Sequence, residues 1–281
     1  IPILFLPGDT YANRMPDPVL QQVEHFNNPG ITQNDAFKPV TKYFDRLTRP
    51  EQILQTLPQA IQTMLDPADS GPACISMSQD VQGEVFEYPE EFFKETIHNI
   101  RRPRPDDFQI KQAAEKIKLS NNPIIISGGG VFYSDAMEDV ANFAEKHNIP
   151  VTQTVMGYST MKRDHSHFLG PIGGLGGKAA NNFAKQTDLA IAVGTKLGDF
   201  TTGSWANFEN PNFSLVSINV ARFDASKHKA QSVIGDAKVS LNELSQALGN
   251  WKASDEWHKK SRDELKSWNE YVDKESGPTN Q

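Results

Sequence analysis

The residues best placed by type and spacing to do chemistry are three glycine-rich stretches and a pair of histidines. Gly128-Gly129-Gly130 follows the apolar run Ile124-Ile125-Ile126. A glycine-rich turn between strand and helix lets backbone N–H groups approach a pyrophosphate. The dinucleotide fingerprint is not completed, because its third glycine position holds Tyr133 and no Asp or Glu stands near Val151 to Thr154 to take a ribose hydroxyl. These glycines are therefore read as serving a tight turn. The loop Gly170 to Gly177 is not a Walker loop: position 172 is Ile, and Ala179 follows Lys178 where Ser or Thr would hold magnesium. Together with Gly194-Thr195-Lys196 it leaves two readings open, a nucleotide crevice at the carboxyl ends of strands or simple packing turns.

Asp164-His165-Ser166-His167 offers two imidazoles but no third ligand nearby in sequence, so it is read as loop polarity rather than a zinc site. Cys74 has no adjacent base or cation to activate it as a nucleophile. Asp9 and Asp80 end strands, where a cleft-facing role and turn capping both account for them. No G-x-S-x-G serine-hydrolase motif occurs.

The elements that would position these residues follow a parallel α/β pattern. Ile124–Ile126 reads as a strand, and Ala136, Val140, Phe143, Ala144 and His147 fall on one helical face, with Ser134 as N-cap and Asn148 as the stop. Ile149 to Thr152 is the next strand. Leu189 to Val193 and Leu215 to Asn219 repeat the continuous apolar pattern of a sheet covered on both faces. The expected fold is a doubly wound α/β domain of mostly parallel, six-strand type. A short strand at Ser232–Ile234 and a helix bearing Val239, Leu244 and Leu248 follow.

Before this domain, the sequence predicts a strand over Ile1–Leu6, a helix capped by Asp17 with Val19, Leu20, Val23 and Phe26 on one face, and a short strand at Val40. A helix from a Thr48–Glu51 capping box, kinked by Pro58, and a strand Ala73–Met77 complete this part. A charged, proline-bearing linker spans Glu87 to Asp107, and Arg101-Arg102-Pro103-Arg104 is read as its solvated portion. Domain limits are set at 1–100, 101–250 and 251–281, the last a helical segment whose Trp257, Leu265, Trp268 and Val272 form an apolar face for a neighbouring domain.

A net charge of −7 and a pI near 5.5 argue against nucleic-acid and anionic-membrane partners. One cysteine and no signal-like or membrane-like run fit a cytoplasmic protein. Because the sequence opens without Met, directly in an apolar run, it is expected to be a fragment.

Asn122 to Val131, Asn148 to Val151 and Thr187 to Thr195 resemble the central domain of thiamine-diphosphate enzymes of the acetohydroxyacid synthase and pyruvate oxidase type. Gly71-Pro72-Ala73 and Gln79-Asp80-Val81-Gln82 resemble the end of that family's pyrimidine-binding domain. Leu6-Pro7-Gly8-Asp9-Thr10, Arg14 to Gln22, Asn34 to Val40, Arg49 to Gln52 and Asp199 to Thr202 resemble its trihydroxycyclohexane-1,2-dione hydrolase branch, which opens a cyclic diketone in myo-inositol breakdown.

The resemblance implies thiamine diphosphate held between two subunits of a homodimer or homotetramer, a cyclic dione as substrate, and magnesium at the diphosphate. A family glutamate activates the thiazolium carbon as the attacking nucleophile. That glutamate would precede Ile1 and the magnesium motif would follow Gln281, so the fragment alone is expected to be inactive. Within the chain the resemblance carries over Gln21 as a residue near the active site. It also places an FAD or ADP site in the central domain at Gly128, Gly129, Gly194 and Thr195, with Asn219 where relatives have an acid and Asp236 retained. An amide at Asn219 can bond a ribose but carries no charge. The alternatives are a related 2-oxoacid decarboxylase or synthase and a non-catalytic adenine-nucleotide-binding module.

Overall fold

The computed structural model describes residues 1–13 and 27–277, so the helix expected from Asp17 to Phe26 lies outside the described residues. The chain divides into two compact units, Ile1–Arg101 and Arg102–Gln281.

In the first unit the expected opening strand is split into β1 (Leu4–Phe5) and β2 (Gly8–Asp9), because Pro7 between them has no N–H to give to a ladder. Val40 is not in a strand. It ends 3₁₀ turns over Gln33–Val40, whose start is fixed by Thr32 and Asp35: the Thr32 hydroxyl accepts from the Asn34 N–H at 3.2 Å, and the Asp35 carboxylate accepts from the Thr32 N–H at 2.7 Å. The strand missed by sequence reading is β3 (Tyr43–Leu47). Helix α1 (Ile53–Leu65) continues past Pro58. Its entry is organised by the Gln52 carboxamide, which accepts from the Thr48 and Arg49 N–H groups at 2.7 and 3.1 Å in place of the expected Thr48–Glu51 box. All three strands run parallel to β4 (Ala73–Ser78), which is buried except at Met77.

The second unit begins with α2 (Asp107–Lys118), capped by Asp106, whose Ile110, Ala113, Ala114 and Ile117 are all buried. Strand β5 (Pro123–Ser127) leads through a one-turn helix α3 (Gly130–Tyr133) into α4 (Met137–His147). Ser134 is not the N-cap of α4; it closes α3, and its side chain turns inward to Asp236. The Asn148 stop is as expected, with φ +54°, a left-handed conformation that asparagine tolerates. Then come β6 (Val151–Gln153), β7 (Phe168–Pro171), α5 (Lys178–Ala184), β8 (Leu189–Val193), the short α6 (Asp199–Thr202), β9 (Ser214–Asn219), α7 (Arg222–Ser226), β10 (Gln231–Ile234), α8 (Ala237–Leu248) and α9 (Asp255–Glu275).

The six strands form one parallel sheet in the order β10-β9-β8-β5-β6-β7. From β5, three strands (β8, β9 and β10) build outward to one side and two (β6 and β7) to the other. The order therefore reverses between β5 and β8. Both central strands are buried along their whole length, which is why they read as unbroken apolar runs rather than alternations. Helix α8 packs against α2 and α4, while α5 and α9 pair and lie against β7. The apolar face of α9 thus covers its own unit. Trp257 is 4 % exposed, donates its indole N–H to the Pro123 carbonyl at 2.9 Å and stacks on Phe183 at 4.0 Å between ring centres.

Removing buried atoms from the middle of this sheet leaves a cavity that flanking strands cannot close. Ile191→Ala should cost about 2–5 kcal/mol, read as a lowered urea midpoint at unchanged slope.

Candidate functional site

In open parallel sheets ligands bind beyond the carboxyl ends of the strands, where the order reverses. Here that place lies between β5 and β8, and Gly128, Gly129, Gly194 and Thr195 meet there. The Gly128 N–H donates to Val193 O at 2.9 Å and the Gly130 N–H to Gly194 O at 2.8 Å. Gly194 sits at φ +59°. A Cβ on Gly130 would come 2.7 Å from the Gly194 Cα, and one on Gly194 2.7 Å from the Gly130 Cα. These glycines let two turns close on each other, backbone against backbone.

Asn219 joins them from the end of β9. Its amide N–H donates to Thr195 O at 3.2 Å and its Oδ1 accepts from the Ala221 N–H at 3.0 Å. Asp236 follows in the next loop, after β10. It caps α8 by accepting from the Lys238 and Val239 N–H groups at 3.1 and 3.4 Å, pairs with Arg102 at 3.2 Å, and takes the Ser134 hydroxyl. Arg102 is thereby part of the domain rather than of a solvated linker, and Arg104 pairs with Glu243 at 2.5 Å. In this geometry Asn219 ties the β9 loop to Thr195, and Asp236 ties the α8 start to Arg102 and Ser134. Gln21 lies outside the described residues.

What the sequence reading did not anticipate is an apolar fringe along this edge: Tyr133, Met156, Tyr158, Leu175, Phe200 and Phe223 are all exposed, Phe223 by 80 %. The signal was present as large apolar residues within otherwise polar loops.

The remaining candidates resolve on chemistry. In the first unit Asp9 is 1 % exposed. Burial raises its pKa, but hydrogen bonds from Ser76, Arg46, Thr32 and the Thr10 N–H outweigh this and hold the carboxyl below its ordinary value. Arg46 donates Nε to Asp9 and Nη2 to Asp35, each at 2.6 Å, and also bonds Thr32 at 2.9 Å. Asp80 accepts from the Ala12 and Asn13 N–H groups at 2.8 and 3.1 Å, which is turn capping. Cys74 is fully buried, and burial followed by the charge of Asp9 pushes its thiol up, away from nucleophile chemistry. His165 pairs with Glu145 at 3.1 Å and His167 with Asn148 at 3.2 Å. Among the described residues no group of three or more His, Cys, Asp or Glu is arranged to hold a metal ion, and no helix is long and apolar enough to cross a membrane.

Comparison with known proteins decides the family. The thiamine pyrophosphate enzyme central domain matches residues 110–244. This chain belongs to the thiamine pyrophosphate enzymes. It is similar to the 3D-(3,5/4)-trihydroxycyclohexane-1,2-dione hydrolase of Clostridium perfringens strain 13, at 49 % identity over 248 residues, covering 88 % of this chain and 39 % of the relative. Proteins of the same name from Clostridium botulinum strain Eklund 17B and Clostridium tetani are 45 % and 44 % identical, covering 98 % and 99 % of this chain and 43 % and 45 % of those relatives. The chain spans about two fifths of the length of the curated relatives it matches. The α/β architecture with a parallel six-stranded sheet is the one this family membership leads one to expect.

Three substitutions probe these contacts. Gly130→Ala must push Gly194 aside and should cost about 1–3 kcal/mol. Asp236→Ala removes a helix cap and strands a guanidinium, for about 2–4 kcal/mol, whereas Asp236→Asn keeps the cap and should cost less than half of that. Thermal unfolding of the three variants reads the ranking.

Proposed function

We propose that the protein containing this chain is a thiamine-diphosphate-dependent hydrolase that opens the ring of 3D-(3,5/4)-trihydroxycyclohexane-1,2-dione by cleaving a C–C bond, in the cytoplasmic breakdown of myo-inositol. The observation that carries this reading is the 49 % identity to a hydrolase of that name across 88 % of the chain. Thiamine diphosphate, with magnesium at its diphosphate, would supply carbon-nucleophile chemistry to the complete protein. The assembly is a homodimer or homotetramer, and the net charge of −7 supports a reading without nucleic-acid partners.

The part of this chain is positional. Its glycine-closed sheet edge and the two buried acid–arginine networks fix loop geometry, and the described residues supply no activated thiol and no metal cluster. In a reaction of this type a displacement of about 1 Å at a distance from the chemistry costs on the order of 10²-fold in rate. Positional residues therefore register in kcat without touching substrate.

The test follows loss of the cyclic dione by the complete gene product with and without thiamine diphosphate and magnesium, and by the 281-residue chain alone. Ring opening is expected only from the complete protein with both cofactors present. Consumption of a 2-oxoacid with the dione untouched would replace the substrate and keep the family; activity without thiamine diphosphate would overturn the reading.

A further inference from the structure

The segment from Trp251 to α9 is fastened to its domain by imidazoles whose partners dictate their protonation. His147, fully buried at the end of α4, lies with Nδ1 2.8 Å from the Trp251 carbonyl, an acceptor only, so that nitrogen carries the proton. Its Nε2 then accepts from Ser245 Oγ at 3.0 Å. The same Oγ already receives the Lys146 ammonium at 3.0 Å, so a proton on Nε2 would set two cations around one hydroxyl.

Beside it, the Asn148 amide donates to Ala253 O and Asp255 Oδ1 at 3.2 and 3.0 Å, which leaves its Oδ1 to accept from His167 Nε2 at 3.2 Å. His167 Nδ1 is 3.0 Å from Ser166 Oγ. The His167 ring stacks on His258 of α9 at 4.1 Å and 17°, and His258 Nε2 donates to Ser166 O at 3.1 Å. His165 closes the group: its Nδ1 accepts from the His167 N–H at 3.1 Å and its Nε2 donates to Glu145.

We propose that His147 and His167 form the centre of a pH-sensitive clamp, and that acidification releases the Trp251 connection and α9 as a unit while the sheet stays folded. The charges facing the clamp favour this outcome. Helix α4 contributes Lys146 and Glu145, the β6–β7 loop His165, and α9 His258, Arg262 and Asp255. Glu145 and Asp255 are turned to His165 and Asn148 rather than to either central ring.

Burial first, then His258, His165 and Arg262, push His167 down from 6.5 to about 4, and burial together with Lys146 lowers His147. For a base with a depressed folded pKa the stabilisation is complete above 6.5 and is lost as pH falls from there toward about 4. Across that window protonation of His167 favours the released arrangement over the docked one.

Hydrogen exchange of the full chain at pH 7.5, 6 and 5, corrected for intrinsic rates, tests this. Protection of α9 amides is expected to fall at least tenfold more than that of β5 and β8. His167→Gln, which can still donate to Asn148 but does not titrate, should flatten the pH dependence; His258→Gln, on the exposed side, offers a second non-titrating variant of the stack. Simultaneous loss of α9 and sheet protection, or α9 protection indifferent to pH, would overturn the clamp.

Discussion

Gly130 donates to Gly194 across the point where the strand order reverses, with no side chain between the two turns. That close approach constrains much of the second unit. A parallel sheet that builds outward in two directions from its first strand must bring the β5 and β8 turns together at one spot. The left-handed Gly194 and the two N–H bonds into it and its neighbour fix how far apart they stand. Asn219 then ties the β9 loop to Thr195, and the Gly235 N–H reaches Asn219 O at 3.1 Å, so the constraint passes along the edge from strand to strand.

Much of this architecture was legible because both faces of the sheet are buried. Ile124–Ile126 and Leu189–Val193 must be apolar on both sides, and that requirement writes itself as continuous runs. The Asn148 stop was legible because it is decided by local geometry. The first unit was harder to read. Tyr43-Phe44-Asp45-Arg46-Leu47 is a strand whose Asp45 and Arg46 belong to polar networks, so its pattern neither alternates nor runs apolar. Pro7 splits what looked like one strand, and Gln52 outcompetes Glu51 as the side chain that reaches back to the helix entry.

The candidate site was legible in place but not in role. The glycines expected at the strand ends are there and pack against each other, and sequence alone does not separate the two roles, because a nucleotide turn and a packing turn ask for the same residue type. Asp236 and Arg102 show the converse. Separated by most of the domain in sequence, they form a pair that only the fold creates, and no local pattern distinguishes such an arginine from a solvated one.

Buried charge explains why both units carry such pairs at strand ends. A carboxylate as enclosed as Asp9 is costly unless its oxygens are met, and Arg46, Ser76 and Thr10 meet them. The geometry that satisfies the charge also pins the loop on which it sits: Arg46 links β2, β3 and the Thr32 turn, and Asp236 links α8, Ser134 and the chain entering at Arg102. Each network would be an expensive way to gain stability alone. Their effect is to hold loops in one register.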